Sequence, residues 1–129
     1  MKRRIYIASP YSHVSECLQN KRYAEIRDIV GDAITMFNSG AWIYSPIVYS
    51  HPLAQDGVEI DWVEFDKIIL EKCDAMFVVK QDGWHKSLGI QEEIQFCFKN
   101  NIPFCIIEPE YLNDEIALYL ERELQDEAE

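Results

Sequence analysis

Asp66 is an acidic side chain on the apolar face of a predicted helix. The helix is predicted over residues 58–72, and its apolar stripe consists of Trp62, Phe65, Ile69, Leu70 and Cys73. Asp66 falls inside this stripe, where an ionised carboxylate is costly unless it is paired or functional. A salt bridge or a cap contact would satisfy Asp66. We favour a site role, because carboxylates with perturbed pKa values cluster in functional sites.

Glu93 is a second carboxylate that helical geometry places beside a buried face. In a helix predicted over residues 88–99, the apolar stripe consists of Ile90, Ile94, Cys97 and Phe98. Glu93 lies on the border of that stripe, about 85° from its centre, whereas Glu92 points almost directly away. The dipole near the helix start favours an ionised carboxylate. We therefore expect Glu93 to lean towards a cleft as an ionised carboxylate, which would suit a nucleophile, and Glu92 to be a solvated surface residue.

A serine and a glycine mark the start of the same helix. Ser87 is a suitable N-cap, and Gly89 would let a ligand approach the backbone closely. Open N–H groups at a helix start can receive a phosphate or a sugar hydroxyl. Capping alone would also explain Ser87, so this pattern leaves both roles open.

Short apolar strands alternate with amphipathic helices along the chain. Strands are predicted over residues 4–8, 42–45, 75–79 and 103–107, and helices over about 15–39, 58–72, 88–99 and 112–129. Residues 46–57 are expected to form a loop, and Asn113 is expected to cap the last helix. The alternation predicts a single-domain α/β fold over residues 1–129. This would be a three-layer Rossmann-like or flavodoxin-like arrangement, with helices on both faces of a parallel sheet of four to five strands.

The carboxyl ends of the predicted strands indicate where a ligand would bind. Three loops leave these ends, over residues 8–11, 45–51 and 80–84, and the third loop contains Asp82 and Trp84. We expect the site to be built from these loops and from the helix starts behind them.

Composition narrows the classes of partner. The chain has 23 acidic and 12 basic side chains and a formal net charge of -11. Such a charge repels the backbone of a long nucleic acid, although a few local donors can still hold one nucleotide. The apolar run after the basic start covers only residues 5–8, too short for a signal peptide or a membrane span. We expect a cytoplasmic protein with a flexible acidic tail at about residues 126–129.

The cysteines and histidines indicate core packing rather than metal binding. No CxxC pair is present, and the histidines His13, His51 and His85 lack ligand spacing. Cys73, Cys97 and Cys105 lie in apolar segments, as buried thiols usually do. We predict no metal and no other cofactor.

Four sequence motifs resemble those of a known superfamily. They are IYIASPYS at residues 5–12, YSP at 44–46 with SHP at 50–52, Asp66 with Asp74, and Gly83-Trp84-x-x-Ser87-x-Gly89-x-x-x-Glu93. On these motifs, spread over residues 4–108, the chain resembles the nucleoside 2-deoxyribosyltransferase-like superfamily, in particular its small DUF1937 and DUF4406 branches. The last motif is the most specific.

The resemblance implies a glycosyl-transfer mechanism. Glu93 would attack the anomeric carbon of a deoxyribosyl group, and water or another base would resolve the covalent intermediate. Asp66 would help to protonate the departing base or orient the sugar. A carboxylic acid with a raised pKa suits that second role.

The resemblance also implies a set of binding residues. Ser9, Tyr11 and Ser12 of the opening turn would line the sugar and base pocket. Ser87 would contact the 5′-oxygen or 5′-phosphate. Tyr11 or Trp84 could stack on the base, although Trp84 also suits a hydrophobic lid. His51 and His85 could replace family contacts at the base.

The opening turn departs from the pattern of the nucleotide-hydrolysing relatives. Those relatives have a glycine-rich turn that contains an arginine, and residues 9–13 here have neither. This difference argues against a tightly held 5′-phosphate, unless Arg22, Arg27 or a neighbouring subunit supplies the charge.

Three hypotheses follow for the activity. The first is a deoxyribosyltransferase or N-glycosidase that acts on a small nucleoside or nucleotide. The second is a non-catalytic module that binds a nucleotide or a nucleotide-derived signal. The third is an interaction protein that has kept only the fold. The family pattern further implies a homodimer or a higher homo-oligomer.

Overall fold

The computed structural model describes residues 1–11 and 15–128 as four strands and five α-helices. The strands are β1 (Arg3–Ala8), β2 (Ala41–Tyr44), β3 (Ala75–Val79) and β4 (Phe104–Ile107). The helices are α1 (Glu16–Phe37), α2 (Pro46–Gln55), α3 (Trp62–Glu71), α4 (Leu88–Lys99) and α5 (Leu112–Ala128). Short 3-10 turns precede α4, at Trp84–Lys86, and α5, at Pro109–Tyr111.

The strands form one parallel sheet in the order β2-β1-β3-β4. This is the order of the first four strands of a flavodoxin-like sheet. It confirms the predicted parallel α/β architecture, with four strands in the described part of the chain. The strand order reverses between β1 and β3, so a crevice opens at their carboxyl ends.

Alternate strand residues separate two cores. Side chains such as Ile5, Ile7 and Phe77 pack with α1 and α5 on one face. On the other face, Tyr6 and Ala8 of β1 and Met76 and Val78 of β3 pack with α3 and α4. All five residues of β3 are buried, as expected for a strand covered on both sides.

The segment that was expected to be a loop contains a helix. Residues 46–55 form α2, because the Ser45 hydroxyl accepts a hydrogen bond from the Val48 N–H at 3.3 Å and Pro46 is compatible with the first helical turn. The loop prediction, based on Pro46, Pro52 and Gly57, was wrong for this segment. Pro52 is tolerated inside α2 even though it lacks an N–H.

Two predicted helix starts also differ from the structure. Helix α3 begins at Trp62 rather than at residue 58, because the Asp61 carboxylate accepts from the Glu64 N–H at 3.1 Å. Helix α5 begins at Leu112, directly after the preceding 3-10 turn, so Asn113 lies inside the helix and is not its N-cap. At the other end of α5, Glu123 and Glu127 lie 3.3 and 2.6 Å from the Arg3 guanidinium.

No helix in the described ranges, 1–11 and 15–128, is long and apolar enough to cross a membrane.

Candidate active site

A cavity of about 530 Å³ lies at the carboxyl end of β1. Its walls come from β1 and the residues after it, from α2 and α3, and from the first turns of α4. A pocket of this size can accommodate a small molecule. The fold therefore brings together the predicted segments 8–11 and 45–51 and the start of α4, whereas residues 80–84, the third predicted loop, do not line the cavity.

Tyr6 and Glu93 form the first polar pair of the cavity. Tyr6 is fully buried in β1, and its hydroxyl donates a hydrogen bond to Glu93 Oε2 from α4. Both side chains line the cavity. Burial raises the pKa of the Tyr6 hydroxyl, and the neighbouring Glu93 raises it further, so Tyr6 remains a neutral donor.

Tyr44 and Asp66 form a parallel pair on the next strand. The Tyr44 hydroxyl donates to Asp66 Oδ1 at 3.1 Å, and Asp66 lines the cavity from α3. Burial, and then the charge of Asp66, raise the pKa of Tyr44. Tyr44 is the register partner of Tyr6. Two neighbouring strands thus each supply one phenol to one helix carboxyl group.

Burial raises the pKa of both acids. The pKa of Glu93 is raised to about 7, mainly by burial, with a lowering contribution from the Tyr6 hydrogen bond and raising contributions from Asp66 and Glu92. The pKa of Asp66 is raised to about 6 by burial, against a lowering contribution from Tyr44. Near neutral pH each of the two carboxyl groups can therefore bind or release a proton, as acid–base catalysis requires.

The helix-dipole argument for an ionised Glu93 was wrong in direction. Glu93 is the sixth residue of α4, which begins at Leu88, and so lies beyond the first turn, where the dipole acts most strongly. Burial is the largest contribution to the pKa of Glu93, and it raises that pKa. Glu92 is exposed, as expected, but it also lines the cavity that it was expected to point away from.

Four of the predicted binding residues line the cavity with the two acids. They are Ser9, Tyr11, Ser87 and Gly89. Ser9 is only 7% exposed, and its Oγ has no hydrogen-bond partner in the part of the chain that the structure describes. A buried hydroxyl without a partner is costly, so a ligand group is its natural complement. The Ser87 Oγ accepts from the Ile90 N–H at 3.2 Å, which confirms its capping role.

Three other predicted binding residues do not line the cavity. His51 is 3% exposed and lies behind the wall, with Nδ1 2.6 Å from the Tyr11 hydroxyl. Asp82 is exposed in the loop after β3. Trp84 packs against the α3–α4 core, with the Lys80 ammonium 5.6 Å from its ring centroid. Ser12 lies outside the described residues.

Arg22 links two of the loops around the cavity instead of lining it. One of its guanidinium nitrogens donates to the Tyr11 carbonyl at 3.3 Å, and the other donates to the Asp82 carbonyl at 3.2 Å. Burial raises the pKa of the Tyr11 hydroxyl, in the cavity wall, and lowers the pKa of the His51 imidazole, behind it. Both groups therefore stay neutral. Arg27 is exposed and lies 3.4 Å from Asp28. Neither arginine is among the residues that line the cavity.

The sequence interpretation missed several residues of the site. Tyr6 and Tyr44 are the hydrogen-bond donors to the acids, and Trp62, Lys67 and Lys86 are part of the cavity wall. A phenol inside a strand covered on both faces must find an acceptor for its hydroxyl. The sequence could therefore have predicted a hydrogen-bond acceptor for the Tyr6 hydroxyl.

Within the part of the chain that the structure describes, the two acids do not belong to a cluster of metal-ligating side chains. Among residues 1–11 and 15–128, no group of three or more His, Cys, Asp or Glu side chains is placed to hold a metal ion. The chemistry that the geometry offers comes from two titrating carboxyl groups, two neutral phenols and one unpartnered hydroxyl.

Comparison with known proteins places the chain in a family. No curated protein matches it. A family model described as a domain of unknown function, DUF1937, matches residues 3–108. The matched range includes all four strands and both acids of the cavity. The chain therefore belongs to the DUF1937 family.

Proposed function

We propose that this protein breaks or exchanges the N-glycosidic bond of a nucleoside or nucleotide. The observation that carries the proposal is the pairing of Asp66 and Glu93, from two helices, in one cavity, each with a tyrosine hydroxyl as donor. Glycosidic cleavage passes through a cation-like sugar and uses two carboxyl groups in different roles.

In the first step, Glu93 attacks the anomeric carbon of the sugar. A bond forms between the Glu93 carboxylate oxygen and that carbon while the bond from carbon to base nitrogen breaks. The electron pair of the broken bond stays on the base, and the Asp66 carboxyl group supplies the proton that the base takes up. The Tyr6 hydroxyl stabilises the ionised form of Glu93 before the attack.

In the second step, water or a second base attacks the glycosyl ester. The Asp66 carboxylate takes the proton of the attacking group, and Glu93 leaves as a carboxylate. Attack by water hydrolyses the substrate, whereas attack by a second base transfers the sugar to that base. The apolar part of the wall, including Tyr11 and Trp62, provides aromatic surface for the base.

A panel of nucleosides and nucleotides tests the proposal. Each compound is incubated with the protein, with and without a second free base, and the free and exchanged bases are separated by chromatography. We expect base release or exchange from at least one compound, and loss of that activity in Glu93→Ala. Unchanged activity in Glu93→Ala would overturn the mechanism, and circular dichroism shows whether that variant keeps the fold.

The raised pKa of Glu93 favours a second candidate, a non-catalytic nucleotide-binding module. Because the pKa of Glu93 is raised to about 7, its protonated form is present near neutral pH, and a protonated carboxyl group can donate a hydrogen bond to a ligand. Under this reading, a bound compound is recovered intact after long incubation.

Exposed apolar side chains near the cavity support the further proposal of a homo-oligomer. Val58, Ile60 and Val63 are 40%, 48% and 56% exposed, and Val63 also lines the cavity. Light scattering coupled to size-exclusion chromatography measures the mass directly. A single species at 15.1 kDa would contradict the oligomer.

A further inference from the structure

A second concave surface, the edge groove, lies between β2 and α3 beside the amino end of β1. It has a volume of about 350 Å³, and its walls come from Arg4 and Ile5, from Trp42–Tyr44, and from the last turns of α3 and the residues after it, Ile68, Ile69, Lys72 and Cys73. None of these residues lines the cavity at the carboxyl end of β1. The edge groove is therefore separate from the candidate active site, and a ligand there is independent of the proposed function.

Large apolar side chains are exposed in the edge groove. Trp42 of β2 is 62% exposed and Ile68 of α3 is 57% exposed. Ile43 and Ile69 add half-buried apolar surface between them. An exposed apolar patch with a charged rim is typical of a surface that binds another protein.

Positive charge flanks this apolar surface. Lys72 and Arg4 line the groove, and the Lys2 ammonium lies 3.8 Å from the centroid of the Trp42 ring. Arg4 is paired with Asp74 at 3.1 Å, whereas neither lysine forms a salt bridge within residues 1–11 and 15–128. No acidic side chain is among the described residues that line the groove. In a chain of net charge -11, this surface is a local reversal of charge.

The outer edge of β2 can receive an extended chain. In the described part of the chain β2 pairs with β1 alone, and no hydrogen bond joins Ala41–Tyr44 to the backbone of another segment. Alternate residues of a parallel strand direct their N–H and C=O groups away from the partner strand, where an added strand can bind them. Alternate side chains of such a strand would face the groove.

The distribution of charge argues against a second copy as the occupant. In a two-fold contact the same surface of both copies meets, so Lys2 and Lys72 of one copy would face the same lysines of the other. The net charge of -11 on each copy adds a further repulsion. An acidic segment of a different protein complements both lysines instead.

We infer that the edge groove docks an extended acidic segment of another protein, with an apolar side chain between Trp42 and Ile68 and carboxylates beside Lys2 and Lys72. An apolar anchor in a pocket is the usual centre of a protein–protein interface. The charges around that pocket select the partner and speed its association.

Fluorescence polarisation with labelled peptides tests the docking site. The acidic anchor peptides have about ten residues, rich in Asp, Glu and Thr, with a central Leu, Phe or Trp. One control peptide has Ser in place of the anchor, and the other has Asn and Gln in place of the acids. All are titrated into the wild-type protein, Ile68→Ser, Lys72→Glu and Lys99→Glu. Lys99 is the matched control because it is exposed at the end of α4 and does not line the groove.

The expected result depends on both the anchor and the acids. At least one acidic anchor peptide should bind the wild-type protein about fivefold or more tightly than either control peptide. Ile68→Ser and Lys72→Glu should each weaken that binding about fivefold or more, and Lys99→Glu should stay within about twofold. The inference is wrong if no acidic anchor peptide exceeds both controls, or if Lys72→Glu and Lys99→Glu bind alike. Circular dichroism checks that each variant is folded.

Sedimentation velocity separates a foreign partner from a second copy. Wild type, Ile68→Ser, Lys72→Glu and Lys99→Glu are compared over the same range of protein concentrations. We expect the same state of association for all four. An assembly that is lost in Ile68→Ser and Lys72→Glu but kept in Lys99→Glu would show that a second copy fills the groove, and would overturn the inference.

Discussion

The phenol rings of Tyr6 and Tyr44 lie side by side on neighbouring parallel strands, in direct register, with their centroids 5.7 Å apart. The two residues project toward α3 and α4, because both associate with the core on that face. The Tyr6 hydroxyl reaches Glu93, and the Tyr44 hydroxyl reaches Asp66. Strand register therefore fixes the relative placement of two carboxyl groups that belong to different helices.

Removing the hydroxyl of either tyrosine should raise the pKa of the carboxyl group to which that hydroxyl donates. Tyr6→Phe deletes a hydrogen bond that lowers the pKa of Glu93, so that pKa should rise above about 7. Tyr44→Phe should likewise raise the pKa of Asp66 above about 6. Carboxyl-carbon NMR titration measures both values, and each variant is the control for the other. A shift in the wrong acid, or no shift, would contradict the pairing.

Base release should depend on pH with a single optimum. Below about 6 both acids are protonated and no nucleophile is present, whereas above about 7 both are ionised and no acid is present. The pair carries one proton between these values. Glu93 has the higher pKa of the two, so the reactive form, with Glu93 ionised and Asp66 protonated, is the less populated of the two one-proton forms. The rising and falling sides of the pH profile belong to the pair rather than to either residue. The measurement is kcat/KM from pH 4 to 9. A rate that climbs steadily to pH 9 would show that the pair does not act as acid and nucleophile.

Glu93 should make the fold less stable as the pH rises. Its pKa is about 7 in the folded protein against an ordinary value of 4.5, so the folded state binds more protons than the unfolded state between these pH values. Stability is then fully present below about pH 4.5, falls as pH rises, and levels off above about 7. The loss is on the order of 2 kcal/mol after screening at the open side of the cavity.

Glu93→Gln removes the titrating group but keeps an oxygen acceptor for Tyr6. The variant should match the wild type near pH 4 and exceed its free energy of unfolding at pH 8, by urea denaturation at each pH. Parallel curves for the two proteins over this range would refute the raised pKa. The control Glu64→Gln makes the same change of side chain at the exposed start of α3, and it should preserve the dependence of the free energy of unfolding on pH.

Gly83 lies against the guanidinium group of Arg22, which links the loops after β1 and β3. Its φ is +84°, and a Cβ there would lie 2.5 Å from Arg22 Nη2. We expect Gly83→Ala to destabilise the fold by about 1–2 kcal/mol, mainly through the backbone strain of alanine at a positive φ, with a smaller contribution from displacement of the flexible end of Arg22. Gly31→Ala is the matched control, since that helical glycine is exposed and has no neighbour within 4 Å. Gly31→Ala should stabilise the fold by about 0.5–1 kcal/mol.

Urea denaturation compares the two alanine variants directly. The expected order of stability is Gly31→Ala, then wild type, then Gly83→Ala. Equal stability of wild type and Gly83→Ala would mean that the contact with Arg22 is not tight.

The elements with strong local patterns were predictable from the sequence. The buried run of β3 and the bounds of α4 appear where the pattern placed them, and the parallel alternation gave the sheet. Within the predicted stripe of α4, Ile90 and Cys97 are buried, whereas the prediction was wrong for Phe98, which is 79% exposed. Helix α2 was missed because a serine cap and a proline at the first turn resemble loop composition when read without their hydrogen bonds.

The two acids of the candidate site were predictable from the sequence, but the neighbouring groups that set their pKa values were not. Helical wheels placed Asp66 and Glu93 at a cleft because wheel position depends only on sequence spacing. The Tyr6 donor and the Arg22 link depend on which strands become neighbours, which local spacing does not determine. The same dependence explains why His51, an attractive loop histidine, lies behind Tyr11.

Single-turnover base release by wild type and Glu93→Gln tests the central claim most directly. The substrate is the best compound of the panel, at pH 6.5, with Glu92→Gln as the control from the same cavity wall. We expect Glu93→Gln to lose at least about a thousandfold in rate, because it removes the nucleophile, while Glu92→Gln stays within about tenfold of the wild type. Base release by Glu93→Gln at the wild-type rate would contradict the assignment of Glu93 as the reactive carboxylate.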